Sequence, residues 1–221
     1  GRGVKMMQEA GIDVQVGVLE EECRRLNKRF NCLHTNHRPY VILKWAQTAD
    51  GYIDVARDSG TPLVISTPLT KQLVHQQRAE NRAIMVGTRT VLLDDSRLLN
   101  TRWSGRHPIR VTLDRHGVLS RDCRIFSDEA PTIVYRENTD WQYILSDLAN
   151  RNVHSILVEG GAILLQHILD SGLYDEVHVE VSKYSLPQVD GQIVGGVAAP
   201  NYVFSTSPTI IDGNKIYVEY R

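Results

Sequence analysis

The sequence predicts an α/β protein with a mixed, mostly parallel sheet, helices on both faces and an antiparallel C-terminal edge. Short runs rich in β-branched residues recur along the chain, and segments with helical spacing separate several of them. This alternation is typical of parallel strands joined by crossover helices. Near the C-terminus two strand-like runs follow each other with no clear helix between them, which favours antiparallel pairing.

The strands are predicted from short apolar runs. Five runs that suit parallel strands occupy residues 40–45, 83–87, 109–113, 131–135 and 155–159. The antiparallel edge is predicted from two further runs, at 176–182 and 215–220, the first of which alternates strictly between apolar and polar residues. Strict alternation indicates a strand with one apolar face.

Three segments between these runs are predicted to be helices because each has a recognisable start or stop. Thr67 suits the cap of the first helix, and Pro68 fits its first position, where no N–H partner is needed. The second helix follows Asp140, and its apolar stripe consists of Trp141, Ile144, Leu145 and Leu148. The third begins after paired glycines and ends at Gly172, a natural left-handed stop.

The first 30 residues do not follow this alternation. They read as helix, strand and helix, with the strand at VQVGVL, and their apolar surface is too small for an independent fold. One interpretation is an extension packed on the main domain. The other is the end of an upstream domain that has been lost or cut away.

Composition restricts the class of protein more than its chemistry. The net charge of −1 gives no basic field for nucleic acid or an anionic membrane. The apolar runs are too short to span a bilayer, and the N-terminus lacks a signal-peptide pattern. Three scattered cysteines do not suit a disulfide framework. These features predict a soluble protein of the reducing cytoplasm, with neither nucleic acid nor membrane as a partner.

Candidate chemistry lies at the ends of three predicted strands. Lys44 interrupts an apolar strand, where an ammonium needs a partner unless the strand is at an edge. Asp94 and Asp95 place two carboxylates together, which suits acid–base work but also a solvated turn. Gly160 and Gly161 separate a strand from a helix, a setting in which backbone N–H groups can approach an anion.

Two other patterns are weaker. Cys32, His34 and His37 form C-x-H-x-x-H, but this spacing matches no common structural zinc pattern, so no metal is expected. The dinucleotide fingerprint G-x-G-x-x-G does not follow a first strand, and the run GQIVGG at 191–196 indicates a chain reversal. An ordinary Rossmann dehydrogenase is therefore disfavoured.

Four stretches and one helix resemble the reductase domain of bifunctional riboflavin-biosynthesis deaminase/reductases. The stretches are YVILKWAQTADGYI, AIMVGTRTVLLDD, IRVTLD and ILVEGGAILLQHILDSGLYDEV, and the helix runs from Ser66 to Glu80. They occur in order and cover residues 38–182. The combination of the lysine strand, the GTxTVLxDD block and the VEGG helix is specific for that family.

The resemblance implies a dihydrofolate-reductase-like fold and a pyrimidine reductase of riboflavin biosynthesis. Such a domain reduces 5-amino-6-(5-phosphoribosylamino)uracil to the ribitylamino compound with NADPH, and we expect a homodimer. The opening residues are similar to the end of the family's deaminase domain. We therefore expect residues 1–36 to be a deaminase remnant with a linker, and residues 37–221 to form the reductase domain. The deaminase zinc signature is missing, so deamination by this chain is not expected.

The resemblance also assigns site residues, position by position. Lys44 matches the strand lysine near the reacting sugar carbon, and Asp94 is the best candidate for proton handling. The implied substrate-binding residues are Ser66, Thr67, Arg78, Leu99, Arg102 and Glu159, with Arg78 as the phosphate ligand. The implied cofactor-binding residues are Ala46, Val64, Thr90, Asp94, Arg115, Gly160, Gly161, Ala162, Ile163, Leu164 and Leu165, on a helix start that extends to His167.

Departures from the family pattern occur at single positions. Val64 stands where the family often has tryptophan, and Ser96 where it often has proline. The stretch LLNTR holds one residue more than usual. Arg115 replaces a position that is commonly serine, and it is expected to contact the extra phosphate of the cofactor.

The implied reaction defines what the residues must do. The ribosylamine opens to an imine, the first sugar carbon takes up the hydride that the cofactor supplies, and the nitrogen gains a proton. Arg78 and Arg102 are expected to chelate the phosphate with their planar forks. Lys44, beside Asp94 or Glu159, either stays charged and orients the open sugar or donates the proton.

Two alternatives remain open at this point. A catalytically idle relative, kept as a scaffold or regulator, is suggested by the loss of the deaminase and by Val64. A reductase of another small pyrimidine or pterin is permitted by the kinship with dihydrofolate reductase. The intact set of Lys44, Asp94 and Glu159 argues against an idle relative. The arginines expected to bind a phosphate argue against a reductase of another pyrimidine or pterin.

We predict that NADPH is preferred over NADH, because Arg89 and Arg115 are available as cations for a 2′-phosphate. Initial rates with the two cofactors at matched concentrations measure the preference. Equal turnover with both would reject it.

Overall fold

Strands and helices alternate through the middle of the chain in a computed structural model that describes residues 1–58, 61–188, 190 and 192–221. The helices are α1 (Arg2–Glu9), α2 (Glu20–Leu26), α3 (Lys28–Asn36), α4 (Pro68–Glu80), α5 (Thr88–Asp94), α6 (Trp141–Asn150) and α7 (Ala162–Ser171), with a 3₁₀ turn at Arg124–Phe126. The strands are β1 (Tyr40–Gln47), β2 (Tyr52–Val55), β3 (Ala83–Val86), β4 (Ile109–Leu113), β5 (Thr132–Tyr135), β6 (Ser155–Gly160), β7 (Glu176–Val181), β8 (Gly196–Ala198), β9 (Thr209–Ile211) and β10 (Asn214–Tyr220).

The main sheet is mixed and mostly parallel, so the predicted fold class is confirmed. Its strand order is β5-β4-β3-β6-β1-β7-β10-β9. The first six strands in this order run parallel, β10 is antiparallel to β7, and β9 is antiparallel to β10. The sequence did not predict β9, which lies outside β10 at the edge, nor the separate pair of β2 and β8. These strands have three or four residues each, too few for a pattern to show.

Helices cover both faces of the sheet, as predicted. On one face, apolar side chains of the strands pack against the stripe of α6 and against Leu165 and Ile168 of α7. On the other face, Val91 of α5 packs on Ile84 and Val86 of β3. The middle of this second face, at β6, β1 and β7, carries charged side chains and lies under α4. The predicted site residues Lys44 and Glu159 belong to this middle part.

The predicted helix boundaries agree with the capping geometry. The Thr67 hydroxyl accepts from the Thr70 N–H at 3.2 Å, and the Thr70 hydroxyl accepts from the Thr67 N–H at 2.9 Å. Asp140 accepts from the N–H of Tyr143 at 2.9 Å. Gly172 ends α7 with a φ of 68°. Within the described ranges, no helix is both long and apolar enough to cross a bilayer.

The N-terminal segment differs from its prediction. The expected strand at VQVGVL is wrong: among the described residues this stretch has no strand neighbour, and Val16 and Val18 are 70% and 59% exposed. A strand forms only where a neighbour takes up its backbone hydrogen bonds. The segment that follows is two helices, α2 and α3, where one was expected. Of the run at 191–196, residue 191 lies outside the described residues, and Gly196 begins β8.

Helix α3 packs on the sheet although it lies inside the range expected to be remnant and linker. Its Cys32 is buried in a cluster with Tyr40, Ile42 and Leu157. The ammonium of Lys28, at the start of α3, pairs with Glu176 of β7, which is 2% exposed. The boundary at residue 36 stays a prediction, but α3 contributes to the packing of the domain that follows.

Glu176 is a buried carboxylate held by several donors. It accepts from the Tyr40 hydroxyl at 2.7 Å, contacts the His178 ring at 2.8 Å and pairs with Lys28. Although burial raises the pKa of Glu176, the bonds from His178, Lys28 and Tyr40 outweigh it and hold the value at about 2. The folded state therefore favours the charged carboxylate.

We predict that Lys28→Met lowers the free energy of unfolding at neutral pH by about 1.5–3 kcal/mol, the usual contribution of a hydrogen bond to a charged group. The folded pKa of Glu176 is depressed, so its contribution is present above the unfolded value of 4.5 and is lost as pH falls towards 2. The difference between the variant and the native protein should therefore shrink over this range.

Denaturant unfolding between neutral pH and pH 2 measures the effect. Lys5→Met is the matched control, because Lys5 forms an exposed pair with Glu9 at 3.8 Å. Its cost should stay within about 0.5 kcal/mol. Equal losses for the two variants, or a loss for Lys28→Met that does not depend on pH, would contradict the prediction.

Candidate active site

Charged residues of three neighbouring strands lie on one face of the sheet. Lys44 lies on the central strand β1, Glu159 on β6 and Glu180 on β7. Side chains alternate between faces along a strand, so these residues share the face opposite the main apolar core. All three lie towards the carboxyl ends of parallel strands, where ligands bind in open α/β sheets.

Arg78 and Glu159, both predicted to bind substrate, pair with each other. The Arg78 Nε donates to Glu159 Oε1 at 2.8 Å, and its Nη2 donates to Oε2 at 2.5 Å. A third donor, Nη1, reaches the carbonyl of Leu99 at 3.1 Å. Although burial raises the pKa of Glu159, the Arg78 guanidinium holds it below its usual value. The pair is a fixed, electrically neutral unit at the end of β6.

Lys44 is a desolvated ammonium. Burial lowers its pKa, while the carboxylates of Glu159 and Glu180 oppose the shift. Among the described residues, no hydrogen bond or ion pair within 4.0 Å engages its amine. The sequence left open whether Lys44 belongs to an edge strand that reaches water. In the structure β1 is central, with β6 and β7 on either side. Glu159 and Glu180 therefore favour the charged form of Lys44 against the effect of burial, and no described partner occupies its N–H groups.

Ser66 lies beside Glu180 rather than beside Arg78. Its hydroxyl donates to Glu180 Oε2 at 2.5 Å. Thr67, its neighbour, serves as the cap of α4. Arg102 is exposed, next to Thr101, whose N–H donates to the ring of His75 at 3.1 Å. Burial and, after it, the charges of Arg78 and Arg102 lower the pKa of His75, so Arg102 lies near the same part of α4 as Arg78.

A glycine turn joins β6 to α7 beside the start of α5. Gly161 has a φ of 76°, and a Cβ built on it would lie 3.4 Å from the Thr90 hydroxyl. The Gly87 N–H, at the start of α5, donates to the carbonyl of Gly160 at 3.3 Å. Among the residues that the structure describes, no side chain caps the N-terminus of α7. Its free N–H groups and the missing Cβ leave room for an anionic group to approach the backbone.

The other predicted cofactor residues surround this turn to different extents. Ile163 is 82% exposed in the first turn of α7, and Leu164 packs near Gly87. Leu165 is buried in the core, and its N–H donates to the carbonyl of Gly161. Its role at a cofactor stays a prediction, which this placement does not favour. Gly160 is buried, and the predicted residues that the turn leaves partly or fully accessible are Thr90, Gly161, Ala162, Ile163, Leu164 and His167.

Asp94 lies apart from Lys44, with no described contact between the two. Its carboxylate pairs with Arg57, which also donates to Asp54 at 3.0 Å. Asp95 accepts from the N–H of Arg124 at 2.7 Å and caps the end of α5. The predicted acid pair is therefore divided between an ion pair and a structural turn.

The remaining predicted cofactor residues lie near the same edge of the sheet. Ala46 lies on β1 in register with Glu180, and Val64 is 67% exposed before α4. Arg115 follows β4, is exposed and donates to the Thr139 hydroxyl at 3.0 Å. Arg89 is exposed on α5.

Sequence reasoning missed several residues that contact the predicted ones. Glu180 was read only as part of an alternating strand, and Arg57 received no role. The alternation of β7 predicts that Glu176, His178 and Glu180 share a face, but it does not indicate that α4 covers that face. A polar face of a strand is ordinarily solvated.

The C-x-H-x-x-H pattern lies in α3 and the turn after it. The Cys32 thiol donates to the carbonyls of Arg38 and Pro39, each at 3.6 Å, and burial raises its pKa. The part of the chain that the structure describes holds no group of three His, Cys, Asp or Glu side chains that could bind a metal.

Comparison with known proteins identifies the family. Residues 39–205, more than half of the chain, match the RibD C-terminal domain. The chain belongs to the RibD C-terminal domain family. It is 33% identical over 215 residues to the riboflavin biosynthesis protein RibD of Aquifex aeolicus, covering 87% of this chain and 58% of that protein. RibD of Synechocystis is 32% identical, with 92% and 59% covered. The chain therefore spans less than two thirds of these RibD relatives.

Solved structures of RibD proteins resemble the chain along nearly its whole length. A deaminase/5-amino-6-(5-phosphoribosylamino)uracil reductase from Thermotoga maritima has a TM-score of 0.81 at 32% identity, covering 99% of this chain and 66% of that one. RibD of Acinetobacter baumannii has the same TM-score at 25% identity, with 99% and 68% covered. Dihydrofolate reductase of Enterococcus faecalis, at 11% identity and a TM-score of 0.52, shares the fold over 82% of this chain and 96% of its own. The expected dihydrofolate-reductase-like fold of this RibD C-terminal domain is confirmed.

We predict that Gly161→Ala lowers the free energy of unfolding by roughly 1–2 kcal/mol, because a residue with a Cβ is strained at positive φ. Gly160→Ala is the matched control, since Gly160 has no positive φ and its added Cβ would meet Thr90 at an ordinary 3.5 Å. This second variant should lose no stability. Chemical denaturation of both proteins compares them, and equal losses would show that strain at Gly161 is not the cause.

Proposed function

We propose that the chain is an NADPH-dependent pyrimidine reductase that converts 5-amino-6-(5-phosphoribosylamino)uracil to its ribitylamino product. The observation that carries the proposal is the desolvated Lys44 of β1, flanked by Glu159 and Glu180 at the carboxyl edge of the sheet, close to the glycine turn at Gly161. Membership of the RibD C-terminal domain family and the reductase name of the Thermotoga relative support it.

The glycine turn suits the phosphates of a dinucleotide. No side chain in the described part of the chain caps the start of α7, so its N–H groups can donate to an anion at the positive end of the helix. The Thr90 hydroxyl lies against the same turn, and Arg115 is exposed at the end of the neighbouring strand β4. The bound cofactor would supply the hydride.

The substrate phosphate is assigned to Arg78 and Arg102. A guanidinium has five N–H donors. The described hydrogen bonds of Arg78 use three of them, so further N–H groups remain for a ligand. Glu159 fixes the plane of this guanidinium before any ligand arrives, which reduces the entropy lost on binding. Arg102 is exposed near His75, which lies one helical turn before Arg78 on α4.

Lys44 is the better proton donor to the substrate nitrogen. Burial lowers its pKa, which makes the ammonium a stronger acid than an exposed lysine. Asp94, the other candidate, is already ion-paired with Arg57. We therefore assign Lys44 to proton transfer and to orientation of the opened sugar, and Asp94 to the cofactor side of the site.

The test is a cofactor-oxidation assay with the purified chain. Incubation with 5-amino-6-(5-phosphoribosylamino)uracil and NADPH should consume the cofactor and yield the ribitylamino compound, identified by mass spectrometry. The same assay is repeated with the non-phosphorylated substrate and with a pterin. Turnover of the pterin alone would indicate a different reductase, and no turnover of any substrate by a folded, cofactor-binding protein would support an idle relative.

We predict different kinetic effects for two substitutions. Lys44→Met keeps the volume of the side chain but removes the proton and the charge, so kcat should fall by about 10²–10⁴-fold. Arg78→Lys keeps the charge but loses the planar fork, so KM for the phosphorylated substrate should rise about tenfold to a hundredfold, equivalent to about 1.5–3 kcal/mol.

Steady-state kinetics and a cofactor titration on both folded variants distinguish the effects. Arg78→Lys is chosen over Arg78→Ala because Ala would leave the buried Glu159 carboxylate without its partner. Both variants should bind NADPH normally. A near-native kcat for Lys44→Met would refute the assignment of the active centre.

A further inference from the structure

Glu180 of β7 is a buried carboxylate at the predicted substrate end of the site. It is 4% exposed and accepts hydrogen bonds from three different parts of the chain. The Thr70 hydroxyl of α4 donates to it at 2.7 Å, the Asn214 amide of β10 at 2.6 Å and the Ser66 hydroxyl at 2.5 Å. Burying a carboxylate is costly unless donors replace the lost water.

The donors that contact Glu180 are all neutral. Within the described part of the chain, no cation lies within ion-pairing distance of its oxygens. The cation that interacts with Glu180 over a longer distance is Lys44 on the neighbouring strand β1, where Glu180 stabilises the charged amine. In the parallel register Lys44 lies opposite His178, two residues before Glu180 on the same face of β7.

The charged and titratable groups that face Lys44 from the neighbouring elements differ in whether another group already offsets their charge. Glu159 from β6 is neutralised by its bidentate pairing with Arg78 from α4. From β7, His178 is engaged by Gln77 and by Glu176 at 2.7 and 2.8 Å. Glu180 is therefore the facing carboxylate whose charge no ion pair offsets.

We propose that Glu180 is a positioning residue of the reductase site, which holds the Ser66 hydroxyl in place and balances the charge of the Lys44 ammonium. The inference rests on the proposed function for the role of Ser66 and of the Lys44 proton. The same carboxylate also links α4, β10 and β7, so a purely architectural role is the alternative that an experiment must separate.

The first variant is Glu180→Gln, which keeps the shape and removes the charge. Without Glu180 the ammonium of Lys44 loses stabilisation, so the alkaline limb of the kcat profile should move to lower pH by roughly one unit. The matched control is Thr70→Val, which removes one hydrogen bond to Glu180 but no charge. It should lose stability and leave the limb in place. If the alkaline limb of the kcat profile lies at the same pH in the native protein and in Glu180→Gln, the charge role is overturned.

The second variant is Glu180→Asp, which keeps the charge but shortens the side chain. Its alkaline limb should remain near that of the native protein, while KM for the phosphorylated substrate rises about tenfold because the hydrogen bond to Ser66 is lost. An unchanged KM in the folded variant would overturn the positioning of Ser66. Thermal unfolding of each variant confirms that the comparison is between folded proteins.

A readout that needs no turnover separates this inference from the proposed function. Trace acetylation with acetic anhydride over a range of pH, followed by mass spectrometry of the Lys44 peptide, reports the titration of that amine directly. In Glu180→Gln the midpoint should fall by roughly one pH unit. A shift without any reductase activity would retain the charge role and reject the proposed function, whereas an unmoved midpoint in an active enzyme would reject the charge role alone.

If Glu180→Gln does not fold, labelling of Glu180→Asp decides, because its midpoint should stay within about 0.5 units of the native one. A larger shift would count against charge balance.

Discussion

The structure depends on keeping charges buried on one face of the central sheet. A lysine in the central strand of a parallel sheet cannot reach water along the strand, and an ammonium in such a place is costly unless carboxylates lie nearby. Glu159 and Glu180 meet this need from the strands on either side of Lys44. Their own burial then requires Arg78 and a set of neutral donors. Helix α4 supplies the first of these partners and one of the donors, so its position follows from the charges beneath it.

This constraint divides the carboxyl edge of the sheet into two chemically different parts. At β1, β6 and β7 the face is charged and largely dry, which strengthens electrostatic interactions with any charged ligand that binds there. At the turn after β6, by contrast, the backbone itself is exposed by glycines beside an uncapped helix. Strand β6 therefore carries the acid Glu159, and Gly161 of the glycine turn follows only two residues later. This closeness agrees with the proposed reaction, in which two anionic molecules must meet.

The buried charges also extend away from the site towards the N-terminal helices. Lys28 of α3 pairs with Glu176, Glu176 contacts His178, and His178 contacts Gln77, the neighbour of Arg78 on α4. This line of contacts ties the helix before the sheet to the helix over the site. The segment that precedes β1 thus contacts the sheet face that carries Lys44 through charge as well as through apolar packing around Cys32.

The sequence by itself determined the alternation of strands and helices, the caps at Thr67, Asp140 and Gly172, and the identity of Lys44 and Glu159 as exceptional residues. These features are local, because hydrogen bonds and periodicity within a few residues define them. Only the tertiary structure decided that Arg78 pairs with Glu159 and that the polar face of β7 is covered, and that VQVGVL has no strand partner among the described residues. The first two depend on segments that meet across 81 and 101 residues of chain, as Arg78 and Glu159 and then Gln77 and His178 do. A local pattern does not encode that meeting, since the same alternation of β7 describes a solvated edge as well as a buried one.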